Sequence, residues 1–297
     1  MTVTWIAADW GTSNLRLWAM DEDDRPLDTR QSDQGMGSLA PDQFETALVD
    51  LAADWLATAR QVIACGMVGS RQGWVEAPYQ TAPCSVSPRT MVQASVTRPG
   101  LTVHVIPGVR QTTPADVMRG EETQIAGFLA CNPGWDGVIC LPGTHTKWVH
   151  VSAGEIVSFQ TFMTGEMFAL LTQHSVLRHS IASSGWNEEV FQTALSDAMS
   201  KPEMIAARLF SLRADQLVHS TDTTTLRARL SGLLIGVELA AARPYWLGQR
   251  IALIGADAIS APYVTGLAAQ GAKAERADAT DMTLSGIIAA RHILEPS

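Results

Sequence analysis

No two cysteines in this sequence are spaced to share a metal ion or to form a redox pair. Cys65, Cys84, Cys131 and Cys140 stand apart, with no CxxC motif among them. They are expected to be buried free thiols of a protein kept in a reducing compartment. Basic residues are scarce as well, with 21 Lys and Arg against 30 Asp and Glu and a formal net charge of −9. That balance argues against partners held by long-range attraction, such as nucleic acid or an anionic membrane. An anionic ligand would have to be held by a few placed arginines, lysines and backbone N–H groups. No apolar run approaches the roughly 20 residues of a bilayer span. The opening residues lack the basic start, apolar stretch and cleavage site of a signal peptide, so a cytoplasmic location is expected. Neither GxxxxGK[ST] nor GxGxxG occurs, so neither a P-loop nor a Rossmann phosphate site is supported.

What is present is a folded globular composition: 46% hydrophobic and 17% charged residues over 297 positions, enough for one large domain or two of ordinary size. Residues 3–8, 15–20 and 26–31 read as three strands joined by polar turns. Apolar residues at helical spacing (Phe44, Leu48, Leu51, Trp55) predict a helix within 41–60. A short strand at 62–65 runs into a glycine-rich loop, and residues 103–106 read as another strand. Residues 116–131 read as a helix carrying the adjacent acids Glu121 and Glu122. After Asn132 the strand–turn–strand–turn–strand order recurs at 138–141, 147–151 and 156–162. Helices are predicted at 166–178, 188–199, 203–213 and 223–242, then a strand at 251–254 and helices at 258–270 and 282–293. The expected architecture is α/β, with two domains, 1–131 and 132–297, each opening on an antiparallel meander and sharing a cleft.

The chemistry is concentrated in two hairpins. In the first, Asp9 ends a buried strand and Gly11, Thr12, Ser13 and Asn14 form the turn before the next. Gly11 allows a tight turn, the three polar side chains and backbone N–H groups can donate to phosphate oxygens, and Asp9 is placed to hold a hydrated Mg²⁺. Such a segment alone is also a common Asx turn. The second hairpin, Gly143, Thr144, His145, Thr146 and Lys147, raises the weight of the phosphate reading, because two such loops can clamp a triphosphate from both sides. Lys147 would add a point charge.

The paired meanders resemble the actin, Hsp70 and sugar-kinase superfamily, whose two actin-like (ribonuclease H-like) ATPase domains flank a nucleotide and substrate cleft. Within it, the chain resembles the 2-dehydro-3-deoxygalactonokinases over most of its length. The segments that carry the resemblance are DWGTSNLR (9–16), SDQGMG (32–37), CGMVGSRQGWVEAPY (65–79), PADVMRGEETQIAG (114–127), LPGTHTKWV (141–149) and TFMTGEMFALL (161–171). It implies ATP and Mg²⁺ and transfer of the γ-phosphate to the 6-hydroxyl of a 2-keto-3-deoxy sugar acid. It also implies a general base at Glu121 or Glu122; adjacent helical residues point about 100° apart, and Glu121 is preferred. For the substrate, Arg71 is expected to take the carboxylate bidentately, Ser70 and Gln72 its keto and hydroxyl groups, and Trp74 to form an apolar wall beside Trp10. Arg16 is the second choice of cation and Arg119 a weaker one. Gly255, Ala256 and Asp257, after a late strand, occupy the place of the superfamily's adenosine turn. On the neighbouring helix, Leu226, Leu230, Leu233 and Val237 are expected in the core and Glu238 in solvent.

Three other readings compete with this one: a kinase for the gluconate epimer, an exopolyphosphatase-like hydrolase, and a non-catalytic ATP-binding module. A polyphosphate channel would call for more basic residues than this chain has. The expected partners are small molecules alone, with self-association into a homo-oligomer left open.

Overall fold

The computed structural model describes residues 2–294. The chain divides into two compact units. The first runs to Asp136 and adds Val151–Ser158 and the segment from Ala279 onward. The second comprises Gly137–His150 and Phe159–Asp278. The sequence suggested two consecutive blocks cut near residue 132. Instead, the C-terminal helix belongs with the first unit.

In chain order the first unit holds β1 (Trp5–Trp10), β2 (Leu15–Met20), β3 (Pro26–Ser32), α1 (Phe44–Leu51) and β4 (Gln61–Gly66). After these come β5 (Gln80–Thr81), β6 (Cys84–Ser85), β7 (Val92–Gln93), β8 (Thr102–Val105), β9 (Val109–Thr112), β10 (Ala115–Met118) and α2 (Glu121–Cys131). The main sheet has the order β3-β2-β1-β4-β8-β7. β1 and β2, and β2 and β3, pair antiparallel, whereas β1, β4 and β8 run parallel. Both faces of the sheet's centre are covered, so β1, β2 and β4 are mostly apolar and the period of two decides which core a side chain joins. Ile6, Ala8 and Trp10 pack with Leu15, Leu17, Val62 and Ala64 on the α1 side. Trp5, Ala7, Trp18, Met20, Ile63 and Cys65 face the opposite way, with Ile287 and Ala290 of the C-terminal helix. By this parity Asp9, Arg16 and Cys65 share one face.

The second unit follows with β11 (Gly137–Leu141), β12 (Thr146–Ser152), β13 (Glu155–Phe162), α3 (Thr164–Gln173), α4 (Glu188–Ser200), α5 (Ile205–His219) and α6 (Thr223–Ala241). It closes with α7 (Arg243–Trp246), β14 (Ile251–Ile254), α8 (Asp257–Ala269) and β15 (Ala274–Ala277). Its strand order, β15-β14-β11-β12-β13, repeats that of β8-β4-β1-β2-β3. The strip Val151–Ser158 at the far end of the β12–β13 hairpin belongs to the first unit, where β6 pairs with Glu155 and Ile156. Val138, Cys140, Trp148, Ile251 and Leu253 pack under α4, α6 and α8. Gly232 and Gly236 of α6 let that helix press onto α4, since a Cβ there would lie 2.4 and 2.5 Å from the carbonyl oxygens of Phe191 and Leu195.

Three local expectations are corrected. Residues 115–118 form β10 rather than a helical turn, because Gly120, at φ 107°, breaks the chain before α2 begins. The helix expected over 166–178 stops at Gln173, and Ser175 caps a separate 3-10 turn at Val176–His179. The helix expected at 41–60 is α1 followed by a 3-10 turn at Trp55–Ala57.

The last helix, α9 (Ala279–Leu294), crosses α2 at glycine on glycine. A Cβ on Gly286 would stand 1.9 Å from the Thr123 carbonyl oxygen, and one on Gly127 1.9 Å from that of Met282. Gly286→Ala should therefore force the helices apart and destabilise the chain by about 1–3 kcal/mol or more. An unchanged urea midpoint would contradict this crossing.

Candidate active site

In the first unit, Asp9 stands one residue before the end of β1, opposite Arg16 on β2 and Cys65 on β4. The Cys65 Sγ lies 4.0 Å from Asp9 Oδ1. Burial raises the pKa of Asp9, and the charge of Arg16 opposes that rise. Arg16 is itself anchored, its Nη1 donating to Thr280 Oγ1 of α9 at 2.9 Å. That bond ties the Arg16 side chain to α9. The turn beyond is closed by the Gly11 N–H donating to the Asn14 carbonyl, 2.9 Å, and leaves Thr12, Ser13 and Asn14 exposed. The SDQGMG segment buttresses it: the N–H groups of Met36 and Gly37 donate to the carbonyls of Gly11 and Thr12 at 2.9 and 2.8 Å. Gly35 is required there, because a Cβ would stand 2.3 Å from the Ser13 carbonyl carbon.

The two glutamates at the start of α2 have different environments. Glu122 is 3% exposed. Its Oε2 accepts from the Gly120 N–H at 2.7 Å and its Oε1 from the Thr123 hydroxyl at 3.1 Å. Burial, and after it the charge of Glu121, push its pKa up to about 8. Glu121 is half-buried, its Oε2 accepting the Arg119 N–H at 3.0 Å. Of the pair, Glu121 has the more accessible carboxylate. Burial, with the charges of Asp9 and Glu122, lifts the Cys65 thiol far above its ordinary range. Asp9, Cys65 and Glu122 thus form one electrostatic cluster where β1, β4 and α2 converge. Gly66, at φ 90°, and Gly120 permit that approach. A Cβ on Gly66 would meet the Trp10 carbonyl oxygen at 2.8 Å, and one on Gly120 would lie 3.6 Å from Gly66 Cα.

The residues expected to meet the substrate lie on the loop after β4 and divide sharply. Arg71 and Gln72 are exposed; the Arg71 side chain, at 81% exposure, pairs with Glu76 at 3.5 Å. Ser70 is buried, and its hydroxyl has no partner among the described residues. Trp74 is stacked on Phe44 and edge-on to Trp10, with centroids at 6.2 and 6.0 Å. Its ring, partly buried, packs against the core of this unit, which includes the fully buried Trp10. Arg119 fastens the loop from beneath, its Nη2 donating to the Ala77 carbonyl at 2.9 Å and its guanidinium lying over Tyr79.

In the second unit, the Gly143–Lys147 hairpin is pinned to α3. The Glu166 N–H donates to the Thr144 carbonyl at 2.9 Å, His145 Nε2 meets Glu166 Oε2 at 2.6 Å, and a Cβ on Gly165 would strike the Gly143 oxygen. Gly143 and the exposed Thr144 remain free to face a phosphate. Thr146 and Lys147 are buried instead: Thr146 Oγ1 bonds Tyr263 at 3.0 Å, and Lys147 Nζ donates to Thr161 at 2.8 Å. Beside Gly143 opens a cavity of about 610 Å³, within the size range of small-molecule sites. Leu234, Ile235 and Pro262 form apolar walls, and Ser183, Ser184, Arg227 and Ser231 contribute polar groups. Gly255 adjoins Pro142, but Gly255, Ala256 and Asp257 do not line this cavity, whose wall on that side begins at Ala258. Asp257 is paired with Arg276. The 183–186 loop and Arg227 carry no pattern that sequence reading could have singled out. Glu238, expected in solvent, is buried behind the cavity.

Two units of one strand order, each opening on a glycine–threonine hairpin, define the class: an actin-like ATPase fold of the kind found in sugar kinases. The activator of the 2-hydroxyisocaproyl-CoA dehydratase from Clostridium difficile, solved with bound ADPNP, shares this fold at a TM-score of 0.57 and 10% identity, over 98% of this chain and 96% of that one. Within the class, the family model of 2-keto-3-deoxy-galactonokinase matches residues 9–290, and the chain belongs to that family. It is 36% identical to a protein of Rhizobium meliloti (strain 1021) described as a probable 2-dehydro-3-deoxygalactonokinase, with 98% of each chain covered. It is 34% identical to the 2-dehydro-3-deoxygalactonokinase of Escherichia coli (strain K12), with 91% of each covered. A crystal structure from Sinorhizobium meliloti, described as a candidate 2-dehydro-3-deoxygalactonokinase, superimposes at a TM-score of 0.92 and 35% identity, covering 99% of this chain and all of the other. No helix among the described residues is long and apolar enough to cross a membrane.

Proposed function

We propose that this protein transfers the γ-phosphoryl group of ATP to the 6-hydroxyl of 2-dehydro-3-deoxygalactonate, with Glu121 as general base. The single observation that carries the assignment of the base is the contrast between the enclosed, proton-holding Glu122 and the accessible Glu121. Environments that push two neighbouring carboxyls apart mark their roles. Glu121, steadied by the Arg119 N–H, accepts the proton of the attacking hydroxyl as the oxygen–phosphorus bond forms and the bond to ADP breaks.

The nucleotide reading rests on the second unit's cavity, whose apolar walls suit a purine and whose mouth adjoins Gly143. Gly11–Asn14 and Gly143–Thr144 would offer backbone N–H and hydroxyl donors to phosphate. Among the described residues no cluster of three or more metal-ligating side chains occurs. Mg²⁺ is commonly held by one or two carboxylates together with phosphate oxygens and water. Asp9 fits such a role, since burial disfavours its charge and a cation would restore it. Bound there, Mg²⁺ would neutralise phosphate charge. Arg71 is available for the substrate carboxylate, because an exposed pair such as its contact with Glu76 is worth only about 0–1 kcal/mol.

The product tests the proposal. Incubation with Mg·ATP and the keto acid should yield one ADP per acid consumed and a phosphomonoester whose ³¹P signal couples to both protons on C6. Coupling to another position, or release of free phosphate, would overturn it. Asp9→Asn is expected to raise the Mg²⁺ concentration giving half-maximal rate by about tenfold or more; an unchanged requirement would remove Asp9 from the metal's site.

A further inference from the structure

We infer that Glu238 is a positioning residue for the nucleotide cavity: its buried carboxylate fixes the hydrogen-bond direction of Tyr263 and Thr146, and so the seating of the phosphate hairpin. The inference rests on reading that cavity as the nucleotide site. Glu238 lies on α6 and is 1% exposed. It accepts hydrogen bonds from Trp148 Nε1 and from the Tyr263 hydroxyl, each at 2.8 Å, and from the Thr164 side chain. A phenol has one proton. Because Tyr263 gives its proton to the carboxylate, its 3.0 Å contact with Thr146 Oγ1 must be donated by Thr146. The order is therefore Thr146 to Tyr263 to Glu238.

Each donor belongs to a different part of the site. Thr146 opens β12 directly after Gly143, Thr144 and His145. Tyr263 lines the cavity from α8, and Thr164 lines it from the start of α3. One carboxylate thus holds β12, α3 and α8 in register against α6. Stability alone does not call for it, because a well-packed apolar side chain would avoid the desolvation of a buried carboxylate. Burial raises the pKa of Glu238, while the three donated hydrogen bonds oppose that rise, as expected of a group kept for its acceptors.

The test is a KM split. Glu238→Gln keeps the volume but turns an N–H₂ toward groups that themselves donate. It should raise the KM for ATP about tenfold, the loss expected for one hydrogen bond to a charged group, with the KM for the keto acid unchanged within about twofold. Tyr263→Phe should raise the ATP KM similarly, and the double variant should be no worse than the poorer single, as expected of one coupled chain. A lower melting temperature with an unchanged ATP KM in Glu238→Gln would make the residue merely structural and overturn the inference. If Glu238→Gln does not fold, Tyr263→Phe decides alone, and an unchanged ATP KM there overturns it too. Failure of the underlying reading would look different: calorimetry would show no Mg·ATP binding to the unaltered protein.

Discussion

Glu121→Gln is expected to lower kcat by about 10²–10⁴-fold, the usual contribution of a general base, with the affinity for ATP unchanged. The substitution removes the proton acceptor but keeps the side chain's size and its acceptor for the Arg119 N–H. Glu122→Gln should behave differently. Glu122 is enclosed, its carboxyl already holds a proton at neutral pH, and its two contacts are to Gly120 and Thr123 of its own helix turn. The amide oxygen can accept from the Gly120 N–H and its N–H₂ can donate to the Thr123 hydroxyl oxygen, so kcat should stay within about tenfold. Steady-state rates of the two variants decide the matter. A severe loss in Glu122→Gln with a harmless Glu121→Gln would reverse the assignment.

Glu122 should also make stability fall as the pH rises. Its pKa is raised from 4.5 to about 8 in the folded chain, so between these values the folded state holds a proton that the unfolded state has released. The stabilisation is fully present below 4.5 and lost as the pH passes through 8. Between pH 6 and 8.5 the loss amounts to about 2–3 kcal/mol, on the basis of 1.36 kcal/mol per unit. Other groups titrate in the same range, so the quantity to measure is the difference between the unaltered protein and Glu122→Gln in urea denaturation. The variant, neutral at every pH, should be the more stable of the two at pH 8.5 and gain little on acidification. Parallel pH curves for the two proteins would contradict the buried, protonated carboxyl.

Much of the fold was legible because burial on both faces leaves a plain signature. β1, β2 and β4 are mostly apolar segments bounded by polar turns, and β11 repeats that pattern, while β12 and β13 mix polar with apolar positions. Parity within β1 then separates Asp9 from Trp10, a consequence visible only once both covering layers are known. The placing of α9 was hidden because Gly127 and Gly286 act through close helix crossing, which leaves no periodic trace. β10 was hidden because four residues with Met118 inward and Val117 outward suit a helical turn as well as a strand. The hairpins at Gly11–Asn14 and Gly143–Lys147 were legible as local chemistry, yet Thr146 and Lys147 turn inward from theirs. Glu238 was misread because a carboxylate on a helix is ordinarily solvated; its three donors come from β12, α3 and α8, far apart in sequence. The cavity wall at Ser183–Trp186 and Arg227 depends on a loop meeting α6, a juxtaposition that tertiary packing alone creates.

The central claim, a kinase for a 2-keto-3-deoxy sugar acid of the galactonate series, is tested most directly by ADP release from Mg·ATP across a panel of acceptors. The panel should hold 2-dehydro-3-deoxygalactonate, its gluconate epimer, common hexoses and a no-acceptor control. Saturable turnover that is fastest with the galactonate-derived acid, and absent with hexoses or without acceptor, is the predicted result. ADP release that needs no acceptor, or that hexoses support as well as the keto acid, would contradict it.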